Sequence, residues 1–430
     1  MKLLLENARV VDPASQRDGV FSILVVDGRI ARVAKDVAAD GATILDLSGL
    51  CVCPGFIDMH VHLREPGQEW KETIATGTQA AAAGGFTGVA CMPNTQPPID
   101  SRSVVEFVMA QARQHGRVAV YPIGCVSKGQ EGVELAEMGD MALAGARGFS
   151  DDGKPVASAG LMRRALEYSR IFDLPVIDHC EEPTLVAGGV AHEGEVATRM
   201  GLAGWPGVAE DVMVQRDILL AEYTGGAVHI AHMSTAGSAD LVRRAKAAGV
   251  RVTCEVTPHH FVLTHEAILG YDTHAKMNPP LRAESDRAAL LTAIADGTVD
   301  AIATDHAPHH ADEKCVEFSQ APFGVVGLET AVAICLDRLV HTKLITLSRM
   351  VSLLSTGPAS VLRLDKGTLR EGADADLTVL DLDRTIVVRP EAFLSKSVNT
   401  PFSGWSLRGA PVMTIVDGRI VHDVRERSAS

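Results

Sequence analysis

The 430-residue chain has no run of the ~18 apolar residues that a membrane-spanning helix needs. Its start, Met1-Lys2-Leu3-Leu4-Leu5-Glu6, turns charged too early for a signal peptide, and no small-residue cleavage site stands nearby. Positive charge is also scarce: 40 Lys and Arg against 54 Asp and Glu leave a net charge of −14. Nucleic acids and anionic membranes are gripped by surplus positive charge that displaces counterions, so neither is expected as a partner. The eight cysteines lack the density of a disulfide scaffold, and several (Cys91, Cys125, Cys180, Cys254) sit inside apolar strand-like runs. Cys51 and Cys53 form a C-x-C, but no second pair completes a four-cysteine zinc site. Buried strand thiols and a cytoplasmic location are the expectation. What the chain does have is core: 46% hydrophobic against 22% charged residues excludes disorder as the main state.

This length allows two or three domains, or one large barrel with an appendage. Both ends read as β-structure and resemble each other. Asp27-Gly28 separates the apolar run Ile23–Val26 from Ile30–Val33, and Asp417-Gly418 separates Thr414–Val416 from Ile420-Val421. Asp-Gly between β-formers is a strong hairpin signal, because a type I′ turn needs positive φ. Residues 1–53 and 365–430 are therefore expected to build one small β-domain from both termini. Between them, over 54–364, short apolar runs alternate with helical periodicity, as in Leu161–Ile171 and Ser238–Ala248. Eight strand candidates can be counted: Gly55–Leu63, Gly88–Asn94, Val118–Ser127, Ala146–Asp152, Pro175–Glu181, Ala227–Ser234, Arg251–His260 and Val299–His309. Repeated βα units of this number predict an α/β fold, a (β/α)8 TIM-like barrel, with a doubly wound open sheet as the alternative.

Polar residues collect at the C-terminal ends of these strands, the face where a barrel enzyme keeps its active site. They are Asp58-Met59-His60-Val61-His62, Ser150-Asp151-Asp152, Asp178-His179-Cys180, His229-Ile230-Ala231-His232 and Thr304-Asp305-His306. Residues i and i+2 of a strand share a face, so His60 and His62 point inward together and suit a zinc-like cation. Any one of these residues alone reads more simply as a hydrogen-bonded core residue. Converging His and Asp from five strand ends would be costly to bury unless they bind something.

At this point the residues resemble a family. The run Gly55-Phe56-Ile57-Asp58-Met59-His60-Val61-His62-Leu63-Arg64-Glu65-Pro66-Gly67 is similar to the H-x-H of the amidohydrolase superfamily in its dihydroorotase form. So are Met92-Pro93-Asn94-Thr95, His229–Thr235, Lys276-Met277-Asn278-Pro279-Pro280-Leu281-Arg282 and Ala303–His309. The resemblance spans nearly the whole chain and implies a class I bacterial-type dihydroorotase, which interconverts N-carbamoyl-L-aspartate and L-dihydroorotate in pyrimidine synthesis. It implies two zinc ions, one on His60, His62 and Asp305, the other on His179 and His232, with Asp152 bridging. Spacing favours Asp152 over Asp151 as the bridge. Many relatives bridge with a carboxylated lysine, and here none is offered before Lys154, beyond Gly153. That departure matches the class I enzymes and tells against hydantoinases and allantoinases.

The implied chemistry needs these groups. Opening an unactivated cyclic amide requires a water whose pKa falls from 15.7 to around 7 on a metal. Asp305 beside that water can take its proton and pass it to the leaving nitrogen. An acidic protein must supply a local cation for the substrate carboxylate, and Arg64, two residues after His62, offers a bidentate guanidinium. The resemblance adds Asn94 and His309 to the carboxylate contacts, and Asn278 with the Phe323-Gly324 backbone to the ring contacts. His62 and Leu63 complete the expected substrate-binding set. His259 and His260 are expected to end the seventh strand, with His260 either structural or a support behind the ligands. His192, His265, His274, His341 and His422 are expected to be solvated, and 310–322 to be a mobile lid over the mouth. The rival readings are an allantoinase or dihydropyrimidinase, against which Arg64 argues, and a non-catalytic scaffold for aspartate transcarbamoylase, against which the intact ligand set argues. A homodimer is expected, and docking to the transcarbamoylase stays open.

Overall fold

In the computed structural model, which describes residues 2–425, strands from both chain ends hydrogen-bond into one eight-stranded sheet. Met1 and residues 426–430, which fall within the expected terminal β-segments, lie outside the described residues. The order is Arg419–Asp423, Ser406–Val416, Leu377–Val387, Cys51–Pro54, Lys2–Asp12, Arg17–Val26, Arg29–Ala34, with Thr43–Asp46 also on Lys2–Asp12. Antiparallel pairing of Leu377–Val387 with Cys51–Pro54 stitches the two ends together. Both Asp-Gly pairs make the expected hairpins, with φ of 47° and 80° at Asp27 and Gly28 and of 48° and 73° at Asp417 and Gly418. The turns abut: Ala375 N donates to the Gly28 carbonyl, and Gly418 N donates to the Ala375 carbonyl. Leu5, Val10, Ile23, Val52, Leu377 and Ile415 fill the core beneath.

The middle of the chain is a parallel barrel. Phe56–Val61, Phe86–Cys91 and Ala119–Pro122 pair in parallel. Val176–Asp178, Val228–Ile230, Val252–Val256 and Ala301–Ile302 form a second parallel set. Single parallel bridges from Phe149 to Gly124 and Val176, and from His306 to Val61, join the two sets into a ring of eight positions. The open-sheet alternative falls with that closure. Ile57, Met59, Ala90, Ile123, Ile177 and Ala301 pack together across the ring. Helices form where periodicity predicts them: Ala159–Ser169 and Ala236–Ala247 start at Ser158 and Thr235, whose side chains accept from Leu161 N and Ser238 N.

Several expectations need correction. The fourth strand shrinks to one bridging residue, Phe149, because the Asp151 carboxylate takes the N–H groups of Val126 and Ser127 in place of a ladder. The seventh strand stops at Val256, since Thr257 caps a short helix, Pro258–Val262, that carries His259 and His260. Segment 310–322 is anchored rather than free: it contains the helix Ala311–Lys314 and buries Lys314, Phe318 and Ala321. The five histidines expected in solvent are half-buried, and His341 donates to the Leu382 carbonyl. Seven cysteines are buried and Cys315 is exposed. Among the described residues, no helix is long and apolar enough to cross a membrane.

Candidate active site

The pairing of Phe56–Val61 with Phe86–Cys91 slips between Asp58 and Val61, an irregularity of the kind that re-aims side chains beside active sites. Past it, His60 and His62 meet Asp152, His179, His232 and Asp305, all six buried. Each ring of three histidines is turned by a partner. His60 Nδ1 donates to Glu255 Oε1 at 2.6 Å, His62 Nδ1 to Asn94 Oδ1 at 2.8 Å, and His179 Nε2 to Glu181 Oε2 at 3.0 Å. With one nitrogen spent as a donor, the other carries its lone pair into the cluster.

The donor atoms crowd together. His60 Nε2 lies 3.2 Å from Asp152 Oδ1, and both are buried without a hydrogen-bond partner. Asp305 Oδ1 stands 3.1 Å from His62 Nε2 and 3.7 Å from His60 Nε2. His179 Nδ1 and His232 Nε2 are 2.9 Å apart, each 3.7 Å from Asp152 Oδ1. Donors about 2.0–2.1 Å from a tetrahedral zinc stand roughly 3.3 Å from one another. Lone pairs this close repel unless a cation lies between them, so the residues fit a metal, and Asp152 faces both groups of histidines. Asp151 does not, being committed to the Val126–Ser127 backbone. Burial alone would raise Asp152 and Asp305, but His60, His179 and His232 around the first, and His62 and His60 beside the second, hold both below the usual carboxylate range. Arg64, His232 and Asp305 adopt positive φ (60°, 31° and 47°), strain of the kind that gathers where function requires it.

Beside the cluster stands a cation. Arg64 is only 8% exposed. Its Nε donates to the Pro308 carbonyl at 3.2 Å, and its Nη2 lies 3.5 Å from His309 Nε2. Among the described residues no carboxylate comes within ion-pair reach, and burial pushes the guanidinium down to about 10. His309 donates to the Phe323 carbonyl at 2.8 Å, and burial beside Arg64, Lys71 and Lys314 keeps its ring neutral. Gly324 N donates to the Lys276 carbonyl. Asn278 Nδ2 donates to Glu181 Oε2 at 3.0 Å, which ties it to His179, while its Oδ1 is buried without a partner. Asn94 reaches the site through His62. Leu63 does not join these groups, since its side chain packs in the hydrophobic core.

Several residues at the site escaped the sequence reading. Glu255 could have been noticed as the one charge in the apolar strand Val252-Thr253-Cys254-Glu255-Val256, and Glu181 as the residue two beyond His179. Asn399 carries no such signal. It donates to the carbonyls of Ala307 and Gly324 and accepts from His309 N, bracing the carboxylate end from a distant part of the chain. His260, by contrast, is one the sequence does point to: it accepts from the Thr257 hydroxyl and donates to the Pro279 carbonyl, bracing the segment that carries Asn278.

Comparison with known proteins bears on this geometry. A family model described as dihydro-orotase-like matches residues 49–238, and one for the amidohydrolase family matches residues 176–422. The chain is 57% identical to the dihydroorotase of Pelotomaculum thermopropionicum over 98% of both chains. It is 52% identical to that of Syntrophus aciditrophicus over 98% of this chain and 99% of the other. The chain belongs to the dihydroorotase family. Among solved structures, the L-hydantoinase (dihydropyrimidinase) of Arthrobacter aurescens superposes with a TM-score of 0.89 at 27% identity, over 98% of this chain and 96% of that one. A D-hydantoinase from Thermus sp. gives 0.83 at 25% identity, over 98% and 95%. The dihydroorotase family thus shares its barrel and appended sheet with cyclic-amide hydrolases of the amidohydrolase superfamily, whose members are metal-dependent, and the His/Asp cluster supplies groups able to hold metal.

Proposed function

We infer that the chain is a zinc-dependent dihydroorotase that interconverts N-carbamoyl-L-aspartate and L-dihydroorotate in de novo pyrimidine synthesis. The observation that carries this reading is Arg64, a buried guanidinium at the mouth of the cluster with only neutral hydrogen-bond partners. A desolvated cation of this kind calls for an anion, and the substrate brings a carboxylate that allantoin and dihydrouracil lack. His60, His62 and Asp305 would hold one zinc and His179 and His232 a second, with Asp152 shared. Bound there, zinc polarises the amide carbonyl and lowers the pKa of the attacking water.

The chain's own residues do the rest. Arg64 grips the carboxylate through its free N–H groups, with Asn94 and the neutral His309 beside it. Asn278 and the Phe323-Gly324 backbone orient the ring. An Asp305 carboxylate oxygen takes the proton of the attacking water and delivers it to the departing ring nitrogen; in the biosynthetic direction the same proton moves back. Lys314 and Lys276 hold the 310–322 segment down. Lys314 Nζ donates to the carbonyls of Thr273, Lys276 and Pro322, and Lys276 Nζ donates to those of Phe318 and Ser319. We propose a cytoplasmic homodimer, with a β-domain of residues 1–53 and 365–430 beside the catalytic barrel of 54–364; docking to aspartate transcarbamoylase stays open. One assay tests the activity: purified protein is given dihydroorotate, allantoin and dihydrouracil, with metal content measured on the same sample. Preference for allantoin or dihydrouracil, or no turnover by zinc-replete protein, would refute it.

A further inference from the structure

Glu255 is fully buried at the centre of the barrel, with no lysine or arginine paired to it among the described residues. A bare carboxylate in that position would cost several kcal/mol unless its lone pairs were used. They are used on both sides of the metal cluster. Oε1 accepts from His60 Nδ1 at 2.6 Å and from the backbone N–H of His232 at 3.3 Å. Oε2 faces His229 Nε2 at 3.4 Å, and His229 Nδ1 is in turn 2.8 Å from the Thr253 hydroxyl. The strands make this reach possible, because Val228–Ile230 and Val252–Val256 pair in parallel with Ile230 opposite Cys254, which sets Glu255 beside Ala231 and His232.

We propose that Glu255 is the positioning residue of the metal centre: it keeps the proton of His60 on Nδ1, aims Nε2 at the metal, and seats the backbone of His232 with the same carboxylate. The inference rests on reading the cluster as a zinc centre. The alternative is that Glu255 merely neutralises His229, and the geometry speaks against it. The short bond goes to His60, whereas the contact with His229 is 0.8 Å longer by the distances above. A carboxylate behind a ligating imidazole fixes its tautomer and raises its basicity, and removing such a partner typically weakens metal binding about 10–100-fold. Glutamine at this position has nearly the same shape but no charge: its amide oxygen accepts from His60 more weakly than a carboxylate does, and its N–H₂ end accepts nothing.

The test uses the full chain, stripped of metal and titrated with zinc against a chromophoric chelator, as wild type and as Glu255→Gln. The expected result is zinc affinity lowered about 10–100-fold in the variant, with an unchanged circular dichroism spectrum in the metal-free form. Equal affinity in the two proteins overturns the inference while leaving the zinc centre standing. A wild type that takes up no zinc overturns the metal reading and this inference together. A second measurement needs no variant. In zinc-loaded wild type labelled with ¹⁵N-histidine, His60 should carry a hydrogen-bonded proton on Nδ1 that exchanges slowly with solvent. Coordination through Nδ1, or a freely exchanging proton there, overturns the proposal even if Glu255→Gln fails to fold.

Discussion

Replacing Arg64 by methionine removes the charge and keeps much of the side-chain volume. Of the five N–H donors of a guanidinium, the fold engages one on the Pro308 carbonyl, and the His309 Nε2 near Nη2 is itself a donor to Phe323, which leaves four for a ligand. Losing a hydrogen bond to a charged partner at a desolvated site costs about 1.5–3 kcal/mol, and a bidentate carboxylate contact loses two. At roughly 1.4 kcal/mol per decade, kcat/KM for dihydroorotate should fall at least tenfold and by more than a hundredfold if both bonds are lost. The fold should tolerate the change, because Arg64 has no ion-pair partner to strand and its removal relieves a buried cation. Zinc per chain should stay at the wild-type value, as Arg64 is not among the clustered donors. The assay is steady-state hydrolysis of dihydroorotate beside that of dihydrouracil, with metal content and thermal midpoint on the same preparations. Dihydrouracil, which lacks the carboxylate, should be turned over no worse by the variant. Unchanged kcat/KM for dihydroorotate, or an equal loss on both substrates, would refute the assignment of Arg64 to the carboxylate.

Asp305→Asn keeps an oxygen near His62 but cannot carry a proton, so turnover should fall about 10²–10⁴-fold in zinc-replete protein; near-normal activity at full metal content would remove Asp305 from proton transfer. Asn399→Ala strands the carbonyls of Ala307 and Gly324 and the N–H of His309, costing about 1–3 kcal/mol of stability. KM for dihydroorotate should rise with zinc content unchanged, as steady-state kinetics with metal analysis will check. Burial lowers Lys314 to about 7, from 10.5 for an ordinary lysine. Between these values the unfolded chain binds a proton that the folded chain does not, so this group adds stability as pH rises, by at most about 1.4 kcal/mol per unit. Lys314→Met lacks that rise, so its thermal midpoint relative to wild type should be higher near pH 6 than near pH 9, measured by scanning calorimetry; a pH-independent difference would show that Lys314 does not titrate in this range.

What was legible in the sequence follows from the range of the interactions that produce it. The Asp-Gly hairpins are local, since two residues at positive φ decide the turn, and both formed where Asp27 and Asp417 announced them. Barrel strands were legible as apolar runs, but their ends were not. Asp151 replaces a strand ladder by capping Val126 and Ser127, and Thr257 turns the seventh strand into a helix through one hydroxyl. The six cluster residues were found because their chemistry is conspicuous in an apolar strand. Their supports carry weaker signals: Glu255 and Glu181 show only as lone charges in or just past apolar strands, and Asn399 is an ordinary polar residue until folding gives it partners. Segment 310–322 shows the same limit. Its composition reads as a mobile loop, yet Lys314 and Lys276 find backbone carbonyls rather than carboxylates, and no pattern of charge announces such a bond. The residues that perform chemistry therefore stand out by type, whereas those that hold them in place stand out weakly or only by contact. Asn399 makes the point most directly, since the carbonyls it satisfies belong to Ala307 and Gly324, tens of residues away in the chain and adjacent only in the folded barrel.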